Sequence, residues 1–434
     1  MINRNLLKEL ILSQRKIFLN VVNPIEREVI SGSLFNKINA LKEAIVITGV
    51  RRSGKSFLMR LIWKKIRTKT GISKENFLYF NFEDEKLLNF SATDLAVLVE
   101  CFYEIIEVDK KSKVYLFFDE IQNIAGWEKF INRLLEDGRY KIYITGSNAR
   151  LLSKEIGTAL TGRNYPINLF PLSFSELVNY KLGKITASGF YERDIRIKIK
   201  KIFAEYLENG GFPEVVINQF RPILQEYLKN IVYRDIVLRR GIKSEINLRE
   251  IVSFISSNIG VPLSYHNIAK MTGIKSIMTV KNYVSYLLDA YLFFSIPMHS
   301  PSLKKQIYNP DKLYLIDAGM YQEVAVTSSP NTGRLLENIV FLELKNRGKE
   351  IFYFSDKKEC DFVVISKRKI ESLIQVTDHL GADNRQREIA GLLAAMKKYD
   401  LFDGLILTNG DEDEIRIENR VILVKPIWKW ILGH

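Results

Sequence analysis

The chain has 434 residues, of which 47% are apolar and 26% charged, so it has room for about three domains with packed cores. No uncharged apolar run reaches the ~18 residues of a membrane helix; the nearest, residues 283–298, is broken by Asp289. Two cysteines exclude a disulfide framework and a multi-cysteine zinc site, and the four histidines lack HxxxH spacing. The first residues, interrupted by Arg4, Lys8 and Glu9, hold no signal-peptide core. The expectation is a soluble, cytoplasmic protein with no membrane partner. Of the net charge of +14, residues 1–182 carry 28 basic against 20 acidic groups and residues 183–310 carry 18 against 10, while residues 311–434 are slightly acidic. A basic first two-thirds suits a polyanionic partner.

Residues 1–40 read as a helical segment with turns at Asn23-Pro24 and Ser31-Gly32. From Ala44 onward, short apolar runs alternate with amphipathic helices. Strands fall at 44–48, 77–82, 114–119 and 141–146, and helices at 56–69, 94–108 and 127–138. Strands apolar on both faces and separated by helices imply a parallel sheet covered on both sides. Residues 183–249 read as charged helix interrupted by Gly210-Gly211-Phe212-Pro213. After Asn309-Pro310 an α/β texture returns, with strands at 351–355, 361–366, 371–377 and 404–409.

Gly49-Val50-Arg51-Arg52-Ser53-Gly54-Lys55-Ser56 fits the phosphate-binding loop GxxxxGK[ST], between a strand and a helix as that loop requires. Its backbone amides and those opening the helix, as far as Phe57, can cradle phosphate oxygens. Lys55 would bridge the β- and γ-phosphates of ATP, and Ser56 would ligate Mg²⁺. Asp119 and Glu120 end the 114–119 strand: Asp119 is placed for the Mg²⁺ shell and Glu120 to polarise the attacking water. Thr145-Gly146-Ser147-Asn148 ends the next strand, and either Ser147 or Asn148 can position that water, or both can simply serve the turn.

ITGVRRSGKS, LFFDEIQNIAGWEKF, ITGSNARLL and LTGRNYPINLFPLSFSEL together resemble a large prokaryotic AAA+ ATPase family. LKNIVYRDIVLRR, LFFSIPMHSP, KLYLIDAGM and GRLLENIVFLEL extend the likeness over roughly residues 40–380. The resemblance implies ATP as substrate, ADP as product, a helical and winged-helix segment after the ATPase and a nuclease-like domain behind it. It also implies a role for Arg163 as the arginine reaching a neighbouring subunit's γ-phosphate in a homo-oligomer. The alternative is that Arg163 holds an acid of its own subunit.

Residues 248–297 read as a winged helix. Val280, Tyr283, Val284, Leu287, Leu288 and Tyr291 follow helical spacing along its long third helix, 276–291. The opposite face carries Lys275, Ser276, Thr279, Lys281 and Asn282, residue types that contact phosphates and base edges of duplex DNA. Winged helices also bind proteins, and that reading stays open. Further on, Glu337, Asp361, Gln375 and Thr377 resemble the PD-(D/E)xK nuclease core, in which a third acid and a lysine would stand where Gln375 and Thr377 stand here. Lys367, Arg368 and Lys369 would substitute for the lysine only if their turn folds back. A retained fold without cleavage is therefore expected.

The fold class is α/β: a P-loop AAA+ parallel sheet, a helical and winged-helix middle, and a nuclease-like α/β C-terminal domain. The segments are 1–40 (helical), 41–182 (ATPase core), 183–249 (helical lid or linker), 250–309 (winged helix) and 310–434 (nuclease-like, inactive). The function read from them is Mg²⁺-dependent ATP hydrolysis coupled to DNA binding. Its rivals are a slow nucleotide-dependent switch that binds a protein, and an ATP-gated nuclease.

Overall fold

Strands that are apolar on both faces must be covered on both sides, and the first half of the chain is organised around that requirement. The computed structural model describes residues 3–20, 24–147, 162–186, 188–242, 244–325 and 331–433. They form two compact units, Met1–Phe170 and Pro171–His434.

The first unit contains α1 (Arg4–Leu19), α2 (Gly32–Ala40), β1 (Ala44–Thr48), α3 (Lys55–Thr70), β2 (Phe77–Asn81), α4 (Asp94–Ile105), β3 (Val114–Asp119), α5 (Trp127–Asp137), β4 (Tyr140–Gly146) and β5 (Asn164–Asn168). The sheet order is β2-β3-β4-β1-β5, and every pairing is parallel. Successive side chains of a strand point to opposite faces, so each strand feeds two cores. Val46, Phe80, Phe118 and Ile144 join Leu7, Leu10 and Leu98 on one side. Ile47, Tyr79, Phe117 and Tyr143 join Phe18, Ile62 and Trp63 on the other. The segment read as preceding the ATPase core thus packs into it: α1 gives Leu7, Leu10 and Ile11 to one layer and Phe18 to the other.

β5 was not expected, because Pro166 argues against a strand. The chain tolerates it there since β5 lies at the sheet edge, where proline's missing N–H costs no ladder bond.

The second unit begins with α6 (Phe174–Leu182), α7 (Arg193–Asn209), α8 (Pro213–Asn218) and α9 (Ile223–Asn230), which runs on into π-helical turns over Ile231–Leu238. There follow α10 (Glu245–Ser257), α11 (Tyr265–Thr272), α12 (Ile277–Asp289), β6 (Phe293–Ile296), α13 (Leu303–Tyr308), β7 (Lys312–Leu315) and α14 (Ala318–Val324). β6 and β7 are antiparallel, and Pro262 bridges Lys312. Ser276 caps α12, which ends two residues short of the expected Tyr291; that residue takes a positive φ of 58°. The last part holds α15 (Thr332–Asn346), β8 (Glu350–Ser355), β9 (Glu359–Ser366), β10 (Lys369–Val376), α16 (Arg385–Tyr399), β11 (Asp403–Thr408), β12 (Asp413–Ile417), β13 (Arg420–Pro426) and α17 (Ile427–Ile431). Its sheet order is β12-β13-β11-β10-β9-β8. β8–β11 are the four expected strands. β12 was hidden by its polar, largely exposed edge sequence. Among the described residues no helix is long and apolar enough to cross a membrane.

Asp317 ties this unit together locally. Its side chain caps α14 by accepting from the Met320 amide at 3.0 Å and also accepts from the Gly211 amide at 2.7 Å. Gly210 has φ +72°, and a Cβ on it would collide with the Asp317 carboxyl, so GGFP and IDAGM fit each other as a pair. Burial pushes the Asp317 pKa up to about 6, against three backbone hydrogen bonds. A carboxyl raised on folding contributes stability that is complete below its unfolded value and is lost as pH rises through the folded one. Wild type should therefore lose about 1.3 kcal/mol between pH 5 and pH 7 relative to Asp317→Asn. Urea melts of both proteins at the two pH values check this, and parallel curves would remove Asp317 as the titrating group.

Candidate nucleotide-binding site

β1 delivers the chain to the sheet's C-terminal edge, where the loop 49–54 turns into α3. Gly49 has φ +146°, and a side chain there would strike the Leu169 carbonyl oxygen, so no other residue fits the turn. Arg27, itself buried, braces the loop from behind by donating to the carbonyls of Ser53 (3.1 Å) and Phe170 (2.6 Å). No sequence signal singled out Arg27.

Lys55 opens α3 and is only 5% exposed. Its ammonium donates to the carbonyls of Gly49 (3.1 Å) and Val50 (3.2 Å) and lies 3.7 Å from Glu120 Oε1. Ser56 hydrogen-bonds Asp119, bringing the two expected Mg²⁺ ligands together. Asp119 is buried and also accepts from Tyr79 Oη at 2.8 Å and from Thr145 Oγ1. Burial first, and the charge of Glu120 second, push the Asp119 carboxyl above its ordinary range despite those donors. Burial also raises Glu120, but Lys55, Gln122 and Arg51 outweigh it and hold that carboxyl below its usual range. Glu120 therefore stays ionised at neutral pH. Thr145 joins the two acids, since its hydroxyl also accepts from the Glu120 amide at 2.9 Å. Thr145 and Tyr79 were missed, although each is a polar group inside an apolar strand.

The remaining expected residues divide. Arg51 pairs with Glu83 at 2.9 Å, Arg52 takes a positive φ of 69° in the loop, and Gly54 (φ 97°) precedes α3. The Phe57 ring packs partly buried against the aromatic layer, which leaves its backbone amide to serve the loop. Ser147 follows Gly146, which pairs with Thr48 beside the loop. Asn148 lies outside the described residues. Arg163 immediately precedes β5, whose Asn164 pairs with Ala44 at the beginning of β1. The loop is at the other end, about 16 Å of strand away. Arg163 is therefore out of reach of its own subunit's phosphate loop and instead pairs with Glu136 at 2.8 Å on the surface.

The loop's chemistry fits a nucleotide phosphate chain with Mg²⁺. Among the described residues the Ser53 hydroxyl is buried without a hydrogen-bond partner, and the Asp119 carboxylate is costly to keep charged without a cation beside it.

In the second unit Lys275, Ser276, Lys281 and Asn282 are exposed and Thr279 is half-buried, as the helical spacing required. The Ser276 hydroxyl is engaged as the cap of α12, and the Lys281 ammonium lies 5.4 Å from the Tyr265 ring centroid. Glu337, Asp361, Gln375 and Thr377 meet in a cleft of about 500 Å³. Gln375 Nε2 donates to Glu388 Oε2 at 2.8 Å, and Thr377 holds the following loop through His379 O and Asn384 Nδ2. Lys367 and Arg368 lie in the β9–β10 hairpin turn with Lys369 opening β10; all three are exposed, so they do not fold back. The cation that does arrive, Lys312 of β7, was missed because it precedes its acidic partners by 25 to 49 residues. Burial pulls the Lys312 pKa down, but Glu337, Asp361 and Glu359 outweigh it and raise it.

Residues 41–178 match the family described as AAA domain, and residues 200–331 match a domain of unknown function. The uncharacterized protein MJ1544 of Methanocaldococcus jannaschii is 35% identical over 456 aligned positions, covering 100% of this chain and 97% of that protein. An uncharacterized protein of Haemophilus influenzae is 32% identical over 363, covering 82% of this chain and 86% of that protein. The crystal structure of Cdc6p from Pyrobaculum aerophilum aligns with 75% of this chain and 98% of its own at 12% identity and a TM-score of 0.31, too low to bear on function. By its full-length likeness to the M. jannaschii protein the chain belongs to that protein's family, and its residues 41–178 form a P-loop AAA domain.

Proposed function

We propose that the protein is a Mg²⁺-dependent ATP hydrolase whose nucleotide state controls a DNA-binding winged helix. The observation that carries the first half is the convergence of Lys55, Ser56, Asp119 and Glu120 at one strand edge. Bound Mg²⁺, held by Ser56 and Asp119, would neutralise phosphate charge. The phosphates draw the Lys55 ammonium from Glu120. Released from that pairing, the ionised Glu120 carboxylate orients water and accepts its proton, with Gln122 steadying the second oxygen. Ser147 or Asn148, after β4, would help to position that water. Arg163, unable to reach its own loop, serves the adjacent copy in an oligomer.

For the second half, the support is the exposed Lys275–Asn282 face on α12, the α10–α12 trio, and the β6–β7 pair with its Pro262 bridge. The segments 41–182, 183–249 and 250–309 are then ATPase core, helical linker and winged helix, with β6 of the last pairing with β7 at the start of the following domain. Residues 310–434 form a nuclease-like domain that does not cleave. The test of the whole reading is ATP turnover measured with and without duplex DNA. Stimulation or inhibition by duplex supports coupling; turnover blind to duplex, with no binding, defeats it.

Three variants probe the parts. Lys55→Ala should abolish binding of a fluorescent ATP analogue, whereas Glu120→Gln should bind it normally and lose roughly 10²–10⁴-fold in turnover. Normal turnover by Glu120→Gln would remove it from the chemistry. Arg163→Ala should lose about 10³-fold or more in rate, partly restored on mixing with Lys55→Ala protein, since one interface then has both groups. A mixture as inactive as either component would refute the shared site. Finally, the double variant Lys275→Ala/Lys281→Ala should weaken duplex binding and lower the slope of log affinity against log salt by about 1.8, at about 0.9 per phosphate contact. An unchanged slope would move the contact off α12.

A further inference from the structure

A lysine inside a protein needs partners, and Lys312 is 1% exposed. Its ammonium lies 2.6 Å from Glu359 Oε1 and 3.5 Å from both Glu337 Oε1 and Asp361 Oδ1. One cation thus holds three carboxylates drawn from α15 and β9. Clustered carboxylates are the ligands that Mg²⁺ or Mn²⁺ would take, but at about 2.0–2.1 Å for Mg²⁺, whereas these spacings are those of an ammonium ion. Two of these acids have further partners: Asp361 Oδ2 accepts from the Val376 amide at 2.9 Å, and Glu337 Oε1, the oxygen that faces Lys312, also accepts from Tyr314 Oη at 2.7 Å. Among the described residues no group of three or more acids, histidines or cysteines has a metal-holding arrangement.

We propose that the Lys312 ammonium is the resident cation of this cluster and stands in for a divalent metal, making the C-terminal domain metal-independent. The inference builds on the reading of residues 310–434 as a nuclease-like fold that does not cleave, and it supplies the reason. A catalytic lysine must touch the scissile phosphate, whereas Lys312 is sealed among the acids. A metal would have to displace a covalently tethered cation whose effective concentration is very high. Chelation therefore separates the two halves of the chain: the phosphate loop loses its Mg²⁺, and the acidic cluster loses nothing.

The test is titration of the nucleotide-free full chain with Mn²⁺, read by electron paramagnetic resonance of the free ion and by thermal melting. Wild type should bind no Mn²⁺ that Asp361→Asn removes. Lys312→Ala should melt lower, gain one Mn²⁺ per chain, recover its midpoint in Mn²⁺, and lose that gain when Asp361→Asn is added. Lys312→Met, which keeps an apolar stem in the space, should melt lower with no recovery. A wild-type Mn²⁺ site abolished by Asp361→Asn overturns the proposal, as does a folded Lys312→Ala that gains no site. If neither variant folds in either condition, the wild-type titration decides alone. Nicking of supercoiled plasmid is scored separately. Metal-dependent nicking that Asp361→Ala abolishes refutes the non-cleaving reading, whereas no nicking and no Mn²⁺ gain in Lys312→Ala refutes only the role given to Lys312.

Discussion

The burial of the Lys55 ammonium at the turn from β1 into α3 is the constraint around which the first unit is arranged. A charge that is 5% exposed must be answered by nearby oxygens, and here these are two loop carbonyls and Glu120. The carbonyls can face inward only because Gly49 and Gly54 take backbone angles closed to other side chains. Glu120 arrives because the order β3-β4-β1 puts the end of β3 one strand away from the loop, with Thr145 of β4 spanning the gap. Sheet order, loop conformation and acid placement are thus solutions to one electrostatic problem.

Two of the buried lysines, Lys55 and Lys312, solve that problem differently. Lys55 rests on neutral carbonyls and a carboxylate 3.7 Å away, an arrangement that a phosphate chain with several full negative charges can outbid. Lys312 is itself buried and already faces three carboxylates, and a neutral or singly charged newcomer offers it no better partner. Similar side chains, similarly buried, are poised in one unit and saturated in the other.

What was legible in the sequence follows from how local each requirement is. The phosphate loop spans eight consecutive residues, and the strand acids directly end an apolar run, so both could be read off together with the parallel sheet. The exposed face of α12 was equally legible, because 3.6-residue spacing needs only the helix itself. Arg27, Thr145 and Lys312 act on residues 25 or more positions away, and nothing near them in the chain marks the encounter. β5 was illegible for the opposite reason. Its local signal, Pro166, is real but speaks against a central strand, and the place at the sheet edge is a tertiary fact.

That proline has a consequence for how copies of this chain can meet. An edge strand with free amides invites a strand from another molecule, and sheets that grow this way aggregate. β5 is short, and Pro166 deletes an amide in its middle, so this margin is a poor template for a visiting strand. A copy meeting this margin would have to be recognised through side chains on packed surfaces, contacts that can be reversed by a change of charge at the interface. Contacts of that kind can close and reopen, which the inter-subunit role proposed for Arg163 would require, whereas a continuous hydrogen-bonded seam would not let go.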